Sequence, residues 1–224
     1  MSRIARVVGP GLPHHIVHRG NRRERIFLQE DDWKHYLSLL NKSCERYSVS
    51  VWAWSLMPNH VHLLLCPQDI WGLAKTMQRV ARNYSLSINQ RHGWSGRLWE
   101  SRYYSCVVEK ESYLWAVCRY IEMNPVRAGL VSKPEEWQWS SARAHLLGEE
   151  EEQIKLYRWL KENDRKDYTM FVQREVLTEE LLFIQQTTSS GRPLGKGNFV
   201  TDFERHLGRR IRPNKRGRHP KYSG

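Results

Sequence analysis

Two histidines separated by a single residue, His60 and His62, stand in the segment MPNHVHLLLCP. In an extended strand alternate side chains point to the same face, so both imidazoles can bind one metal ion while Val61 faces the other way. By itself the pair is a weak signal, because histidine pairs on strands are common without a metal. A metal site is predicted only if further donors lie close by.

A tyrosine and an asparagine supply such donors in CRYIEMNPVRAGL, about sixty residues further along. Tyr120 and Asn124 are four residues apart, so on a helix they share a face. Two imidazoles and a neutral amide oxygen suit Mg²⁺ or Mn²⁺, and imidazole somewhat favours Mn²⁺. A divalent ion can polarise a scissile phosphate and assist a phenol, a weak nucleophile whose ordinary pKa is about 10. The set therefore indicates phosphoryl transfer, although periodicity alone favours a packing tyrosine.

The elements that must position these side chains follow from the hydrophobic pattern. Strands are expected at Leu12–Arg19, Val49–Met57, His60–Cys66 and Leu98–Val108, and helices at Gln29–Tyr47, Ile70–Ile88 and Glu111–Asn124. The order β-α-β-β-α-β plus an extra helix predicts an α+β class, the ferredoxin-like split βαβ fold with an antiparallel sheet. The extra helix would carry Tyr120 and end at Pro125.

The composition of the sequence changes at Gly148, which suggests that the chain has three parts. Residues 1–147 are expected to form the catalytic domain, residues 148–208 a small helical appendage, and residues 209–224 a disordered basic tail. Within the appendage we expect helices near Gln153–Lys161, Glu175–Gln186 and Phe199–Leu207, and a loop in TTSSGRPLG.

The net charge of +12 is unevenly distributed. Residues 1–147 hold 20 Lys and Arg against 12 acids, residues 148–184 hold 6 against 10, and residues 205–224 hold 8 and no acid. This distribution favours a polyanionic partner, the alternative being basicity that serves only solubility.

Hydropathy and cysteine usage indicate where the protein works. No run of about 18 apolar residues occurs, and the N-terminus lacks the apolar core of a signal peptide. Four cysteines without CxxC spacing are expected to be reduced, packed thiols. We therefore expect a cytoplasmic, nucleoid-associated protein without a membrane partner, and a monomer, with a dimer as the alternative.

Several segments together carry a resemblance to a known family. They are PHHIVHRGNRRERIF (13–27), WSLMPNHVHLLL (54–65), GRLWESRYYS (96–105), RYIEMNPVRAGLV (119–131), EWQWSS (136–141) and GRPLG (191–195), with a basic C-terminus. The chain resembles, over nearly its full length, the REP-associated tyrosine transposases, a bacterial branch of the single-tyrosine HUH superfamily with an IS200-like transposase domain.

The resemblance implies a role for each candidate. His60 and His62 would be the metal-binding pair, Tyr120 the nucleophile, and Asn124 the third ligand, where related enzymes often have glutamine. That class cleaves single-stranded DNA through a 5′-phosphotyrosine bond and frees a 3′-OH, so strands are rejoined without ATP. The family acts at extragenic palindromes that fold into hairpins with a short single-stranded guide at the foot.

Basic and aromatic residues outside this set are candidates for DNA contact, because guanidinium groups hold phosphates and aromatic rings stack on unpaired bases. Tyr103 and Tyr113 are expected to pack or to stack on DNA, and His14, His15 and His18 to serve packing or DNA contact. The DNA-binding candidates are Arg19, Asn21, Arg22, Arg23, Arg97, Arg102, Tyr104, Arg209, Arg210, Arg212, Lys215, Arg216 and Arg218.

Three rival interpretations remain. An RNA-recognition module shares the element order but needs stacking aromatics where this chain has HVHLLL. A zinc hydrolase would need further His or Asp ligands near the histidine pair. A domesticated hairpin-DNA-binding regulator without catalytic turnover fits the same residues and is the main alternative to the transposase.

Overall fold

The computed structural model describes residues 6–211, and within this range the chain forms a four-stranded sheet with helices on both faces. The strands are β1 (His14–Arg19), β2 (Val49–Met57), β3 (His60–Pro67) and β4 (Tyr104–Val107). Their order is β2-β3-β1-β4, and each neighbouring pair is antiparallel. The α+β class and the split βαβ order predicted from the sequence are confirmed.

Two helices lie among the strands in the order β1-α1-β2-β3-α2-β4, and the other described helices follow β4. They are α1 (Glu30–Arg46), α2 (Gly72–His92), α3 (Lys110–Glu122), α4 (Asn124–Arg127), α5 (Ala142–Leu146), α6 (Arg165–Gln173), α7 (Thr178–Ser190) and α8 (Gly197–Leu207). Short 3₁₀ turns lie at Asn21–Arg23, Pro134–Glu136 and Glu162–Asp164. No described helix is long and apolar enough to cross a membrane.

The sheet separates two apolar cores. Helices α1 and α2 cover one face, where Tyr36, Leu40 and Met77 pack on Ile16 and Leu63. Helices α3, α6 and α7 cover the other face through Val117, Ile121, Tyr168, Val172 and Ile184. Because side chains alternate along β1 and β3, each of these strands contributes to both cores. The α3 side carries His60 and His62 of β3 and His15 of β1, whereas His18 of β1 lies on the α2 side.

Strand register places the histidines beside β1. His60 lies opposite Arg19 and His62 opposite Val17, and on the other side His62 lies opposite Ser55. A β-bulge between Val51 and Ala53 sets the β2 register before the turn.

The turn Pro58-Asn59 that precedes the histidines packs against the chain after β1. The Gly20 amide donates to the carbonyl of Asn59 (2.8 Å), and the Asn59 side chain donates to the carbonyl of Arg23 (2.9 Å). A Cβ on Gly20 would lie 2.5 Å from the carbonyl of Glu24, so only glycine permits this close approach. The two turns therefore hold each other beside the histidine pair.

The last predicted strand is shorter than expected. Only Tyr104–Val107 pairs as β4, whereas residues 98–103 fold over α2 after a single bridge between Gly20 and Trp99. The Trp99 ring stacks on His18 at 3.9 Å, and its Nε1 donates to the carbonyl of Ala81. Aromatic packing on α2 thus overrides the strand preference of this segment.

Two expectations for the C-terminal part are wrong. The segment Gln153–Lys161 is not a helix, because Leu156 forms a parallel bridge to Val51 and the amide of Tyr157 donates to the Val51 carbonyl (2.7 Å) at the edge strand β2. The stretch TTSS is not a loop, because α7 continues to Ser190 and ends at Gly191, whose φ is 72°.

The end of the helix that bears Tyr120 also differs from the prediction. Helix α3 ends at Glu122, and Asn124 begins the separate helix α4, so Pro125 lies in the first turn of α4 instead of ending α3. The linking residue Met123 keeps right-handed helical angles (φ −82°, ψ −1°), which preserves the approximate four-residue relation between Tyr120 and Asn124.

The residues beyond Gly148 share apolar contacts with the sheet. Tyr168, Val172, Ile184 and Leu194 belong to the same buried cluster as Cys106 and Val117. All four cysteines are free and buried. The division at residue 147 stays a prediction, and most of the predicted tail lies outside the described residues.

Candidate active site

Three aromatic side chains converge at the start of β3. The ring centroids of His60 and His62 are 4.9 Å apart, and that of Tyr120 lies 5.7 Å from His62. His62 is buried, whereas His60 and Tyr120 are partly exposed. The same-face prediction for the two histidines is consistent with this proximity, and α3 brings Tyr120 over them.

Hydrogen bonds fix the Nδ1 side of both imidazoles. The His60 Nδ1 lies 2.6 Å from the Asn59 Oδ1, which can only accept, so this nitrogen carries the hydrogen. The His62 Nδ1 lies 3.0 Å from the Nε2 of His15, a residue of β1. Neutral imidazole has one donor and one acceptor nitrogen, so a hydrogen on Nδ1 leaves the Nε2 lone pair for a metal.

Burial keeps these imidazoles neutral at pH 7. Loss of solvation lowers the pKa of His60 to about 4 and that of His15 to about 3, and Arg19 and Arg127 respectively add to these effects. The pKa of His62 is held well below its usual range, first by burial and then by its charged neighbours. Metal ligation requires the neutral form of histidine, so the electrostatics suit a ligand role.

The Tyr120 backbone and ring are held by groups from α4. Asn124 Nδ2 donates to the carbonyl of Tyr120 (2.9 Å), and the guanidinium of Arg127 donates to the same carbonyl. The guanidinium carbon lies 4.6 Å from the centre of the Tyr120 ring. Burial raises the pKa of the Tyr120 phenol, and Arg127 and Arg19 act in the opposite direction.

These donors fit a divalent cation. The Asn124 amide nitrogen is engaged, which leaves its carbonyl oxygen as the donor atom for a ligand. Within residues 6–211 no group of three or more His, Cys, Asp and Glu side chains is arranged to hold a metal. Neutral ligands leave the full charge of the ion available to phosphate oxygens.

The other tyrosines and histidines of the prediction take different places. Tyr113 packs near Phe183, with ring centroids 6.0 Å apart, and Tyr103 is buried on the α2 side beneath Arg6. His18 also faces that side, on Trp99, and His14 Nδ1 bonds the carbonyl of Leu12. Tyr120 therefore differs from Tyr113 and Tyr103 in lying against His62.

The residues predicted to contact DNA lie on two surfaces and at the C-terminal end of the chain. The first surface surrounds the turn after β1. Arg19 lies opposite His60, and Arg22 and Arg23 are exposed with left-handed φ values of 53° and 61°. Such angles are uncommon outside glycine and persist only when surrounding structure enforces them. Asn21 anchors the turn, its amide donating to the Leu98 carbonyl (2.8 Å).

The second surface is a cavity of about 500 Å³ on the α2 side of the sheet. Arg97 and Arg102 line it together with Trp99 and the buried His18. No acidic residue contributes to its lining. Tyr104 is instead on the histidine side, because β-sheet register places it opposite Val17, which lies opposite His62.

The basic end of the chain is only partly described. Arg209 is half-buried and Arg210 exposed, while Ile211 is buried beside Val7 and Val107. The remaining candidates Arg212, Lys215, Arg216 and Arg218 lie outside the described residues.

Sequence reasoning missed three residues at this site. The sequence predicts His15 only in packing or DNA contact, and neither Arg127 nor Thr188 belongs to the predicted site. Arg127 stands seven residues after Tyr120, a helical spacing that could have placed it on the same face. No local signal marks Thr188, because its contact to His15 joins residues 173 positions apart.

Comparisons with known proteins agree with this arrangement. A curated protein of Haemophilus influenzae (strain ATCC 51907 / DSM 11121 / KW20 / Rd), named as a candidate REP-associated tyrosine transposase, is 25% identical over 118 residues, or 47% of this chain. The matched region spans 66% of that protein, slightly under two thirds of its length.

Solved structures provide a fold comparison. A REP-associated tyrosine transposase bound to a REP hairpin has a TM-score of 0.54 at 18% identity, covering 72% of this chain and 93% of the other. A candidate transposase from Deinococcus radiodurans is 22% identical over 51% of this chain and 91% of its own, but its TM-score of 0.38 is too low to support an argument. The first match supports the fold.

The family assignment rests on a match that contains the histidine pair, the tyrosine and the asparagine. The family model described as "Transposase IS200 like" matches residues 10–124, half of the chain. That range begins before β1 and ends at Asn124, so it spans the whole sheet and every residue of the predicted catalytic set. The resemblance inferred from the motifs is confirmed, and the chain belongs to the IS200-like transposase family, whose members process DNA.

Proposed function

We propose that this chain is a metal-dependent endonuclease and strand transferase that nicks and rejoins single-stranded DNA at palindromic REP-type hairpins. The observation that carries the proposal is the placement of the Tyr120 ring 5.7 Å from His62 and beside a histidine pair whose Nε2 atoms are left for a metal. Family membership supports DNA processing, and the hairpin complex of the structural relative supports the choice of substrate.

In this proposal His60, His62 and Asn124 hold Mg²⁺ or Mn²⁺. A bound divalent ion would supply Lewis-acid polarisation of the scissile phosphate. The Tyr120 oxygen attacks phosphorus and loses its proton to solvent, while the bond from phosphorus to the 3′ oxygen breaks and that oxygen takes up a proton. Burial raises the pKa of the Tyr120 phenol, and the positive charges of Arg127 above the ring and of Arg19 near His60 offset part of that effect.

The turn after β1 is proposed to bind the DNA backbone next to the scissile phosphate. Arg19 stands in register with His60, and the left-handed angles of Arg22 and Arg23 direct consecutive basic residues to the surface. Guanidinium groups bind phosphate through paired hydrogen bonds. Replacing Arg22 and Arg23 together by Gln should weaken DNA binding and reduce its salt dependence, by a slope of about 0.7 to 0.9 per lost phosphate contact.

The cavity bounded by Arg97 and Arg102 is proposed to take an unpaired nucleotide beside the hairpin. Its lining combines arginines with Trp99 and apolar carbons of α2, such as those of Met77 and Ala81, which suits a base and its phosphate. It opens on the sheet face away from the histidines, so a bound strand would have to pass around the sheet to reach Tyr120.

The decisive experiment uses palindromic oligonucleotides with unpaired flanks and Mn²⁺. A covalent protein–DNA adduct that survives denaturing electrophoresis and maps to Tyr120 is expected, and EDTA should abolish it. The matching perfect duplex should not be cut, because Tyr120 would first need the strand to be unpaired, which costs a few kcal/mol. Equal cleavage of both forms would contradict the proposed substrate.

The same assay separates the enzyme from a DNA-binding regulator. Tight hairpin binding with no adduct under any divalent ion would favour the regulator. Adduct formation on Tyr113 would retain the enzyme and overturn the assignment of Tyr120.

A further inference from the structure

A chain of buried hydrogen bonds leads from the candidate metal ligand His62 to helix α7. The His62 Nδ1 lies 3.0 Å from the His15 Nε2, and the His15 Nδ1 lies 2.8 Å from the Thr188 Oγ1. The Thr188 hydroxyl in turn lies 2.8 Å from the carbonyl oxygen of Ile184. His15 is fully buried, and His62 and Thr188 are 4% and 2% exposed, so solvent offers little competition.

The Ile184 carbonyl, at the end of this series of hydrogen bonds, fixes the donor and acceptor roles in all the other bonds. The Ile184 carbonyl can only accept, so it takes the single hydrogen of the Thr188 hydroxyl. The hydroxyl oxygen must then accept from the His15 Nδ1, which leaves the His15 Nε2 as an acceptor. The hydrogen of His62 is therefore drawn to Nδ1, and its Nε2 keeps a lone pair.

If these hydrogen bonds ran in the reverse direction, the Nε2 of His62 could not bind a metal. If the Thr188 hydroxyl donated to the His15 Nδ1, the His15 Nε2 would carry a hydrogen and donate to the His62 Nδ1. The proton of His62 would then lie on Nε2, the nitrogen that would have to bind the metal. The nearby Cys106 Sγ, 3.3 Å from Thr188 Oγ1, leaves the conclusion unchanged, because a thiol can donate to the hydroxyl or accept its hydrogen.

We propose that His15 and Thr188 are positioning residues that hold His62 in the Nδ1–H tautomer, so that helix α7 prepares the metal site formed on the sheet. This inference rests on the proposed role of His62 as a ligand. Outer hydrogen-bond partners of ligating histidines commonly fix both tautomer and ring orientation. Here His15 lies within the residues that match the family model, which end at Asn124, whereas Thr188 lies beyond them.

The test replaces the Thr188 hydroxyl and follows the His62 ring directly. In metal-free protein labelled with ¹⁵N, long-range ¹H–¹⁵N spectra distinguish the two neutral tautomers. Wild type should show His62 protonated on Nδ1, Thr188→Val should lose that preference, and Thr188→Ser should restore it. The Kd for Mn²⁺, measured by the electron paramagnetic resonance of the free ion, should rise about 10- to 100-fold in Thr188→Val and return in Thr188→Ser.

Thr169→Val provides a matched control. Thr169 Oγ1 donates to the carbonyl of Arg165 (2.9 Å) in α6, the same bond within a helix that Thr188 makes, but without a histidine partner. The Thr169→Val variant should keep the His62 tautomer and the Mn²⁺ affinity of the wild-type protein. If Thr188→Val does not fold, Thr188→Ala removes the same hydroxyl without filling its space.

The outcomes separate this inference from the proposed function. An unchanged His62 tautomer or an unchanged Mn²⁺ affinity in a folded Thr188 variant would overturn the inference, even if the wild-type protein cleaves DNA. A shifted tautomer with the expected loss of Mn²⁺ affinity supports it, even if no phosphotyrosine is ever formed.

Discussion

Tyr120 is the side chain on which the proposed chemistry depends. It contacts His62 and His15 with its ring edge and lies beneath the guanidinium of Arg127. Tyr113 instead packs near Phe183, and Tyr103 faces α2. A single hydroxyl can thus be removed with little effect on the surroundings.

We expect Tyr120→Phe to abolish adduct formation, a loss on the order of 10³-fold or more, while hairpin affinity stays within about twofold. The phenol oxygen is the attacking atom, whereas the ring and its contacts remain. Adduct yield and hairpin Kd are the two measurements. Tyr113→Phe should behave as wild type, and a Tyr120→Phe protein that still cleaves would disprove the assignment.

Replacing the proposed metal ligands should reduce cleavage to different degrees. His60→Ala or His62→Ala should each lower Mn²⁺-dependent cleavage by more than about 100-fold, and Asn124→Ala should raise the Mn²⁺ concentration needed by about 10-fold. A titration of cleavage with Mn²⁺ measures both effects. His35→Ala is the control, since His35 lies on α1 and bonds Ser87. Full cleavage by any variant in EDTA would exclude the metal mechanism.

At the scale of elements, helix α3 is anchored through one buried carboxylate. Glu122 is fully buried two residues after Tyr120. Its Oε1 accepts hydrogen bonds from Ser141 (2.6 Å) and from the Nδ1 of His145 on α5 (2.5 Å), and its Oε2 accepts one from Tyr168 on α6 (2.9 Å). Elements distant in sequence thereby fix the end of the helix that presents Tyr120.

Glu122→Ala should lower the free energy of unfolding by about 3 to 5 kcal/mol, because it leaves three buried polar groups without their acceptor. Urea denaturation measures the change. Glu111→Gln is the control on the same helix, since Glu111 is exposed in the first turn and its charge contributes at most about 1 kcal/mol. A loss below about 1 kcal/mol in Glu122→Ala would show that the carboxylate does not anchor α3.

At the scale of the whole molecule, the C-terminal segment joins the sheet before it reaches its basic end. Ile211 packs with Val7 and Val107, its amide donates to Glu204, and its carbonyl accepts from Arg192. A truncation that begins at residue 209, where the sequence suggested the tail, would remove this packing. Deletion of residues 212–224 is therefore the cleaner test of the basic end.

This deletion removes five Lys and Arg and no acid. If those charges lie along phosphates, the slope of log Kd against log salt should fall by about 0.7 to 0.9 for each lost contact. Adduct formation should persist at saturating DNA and low salt, because the proposed catalytic residues all precede Gly148. An unchanged slope would show that residues 212–224 take no part in binding, and complete loss of cleavage would assign them to the active site.

The sequence by itself determined the fold class, the strand that carries the histidines and the helix that carries the tyrosine. Each depends on a local signal: alternation along β3 for His60 and His62, and helical spacing around Tyr120. Segments whose structure depends on distant partners were predicted less well. Residues 98–103 pack against α2 instead of extending β4. Residues 153–161 lie along the edge strand β2 instead of forming a helix.

Only the tertiary structure brought His15 and Thr188 to the site. Strand pairing places β1 beside β3, and the packing of α7 on β4 brings Thr188 to His15 across 173 residues. Side-chain hydrogen bonds between such distant positions leave no periodicity and no spacing in the sequence. The proposed ligands are therefore visible in the sequence, but the groups proposed to set their tautomer are brought to them by the way the elements pack.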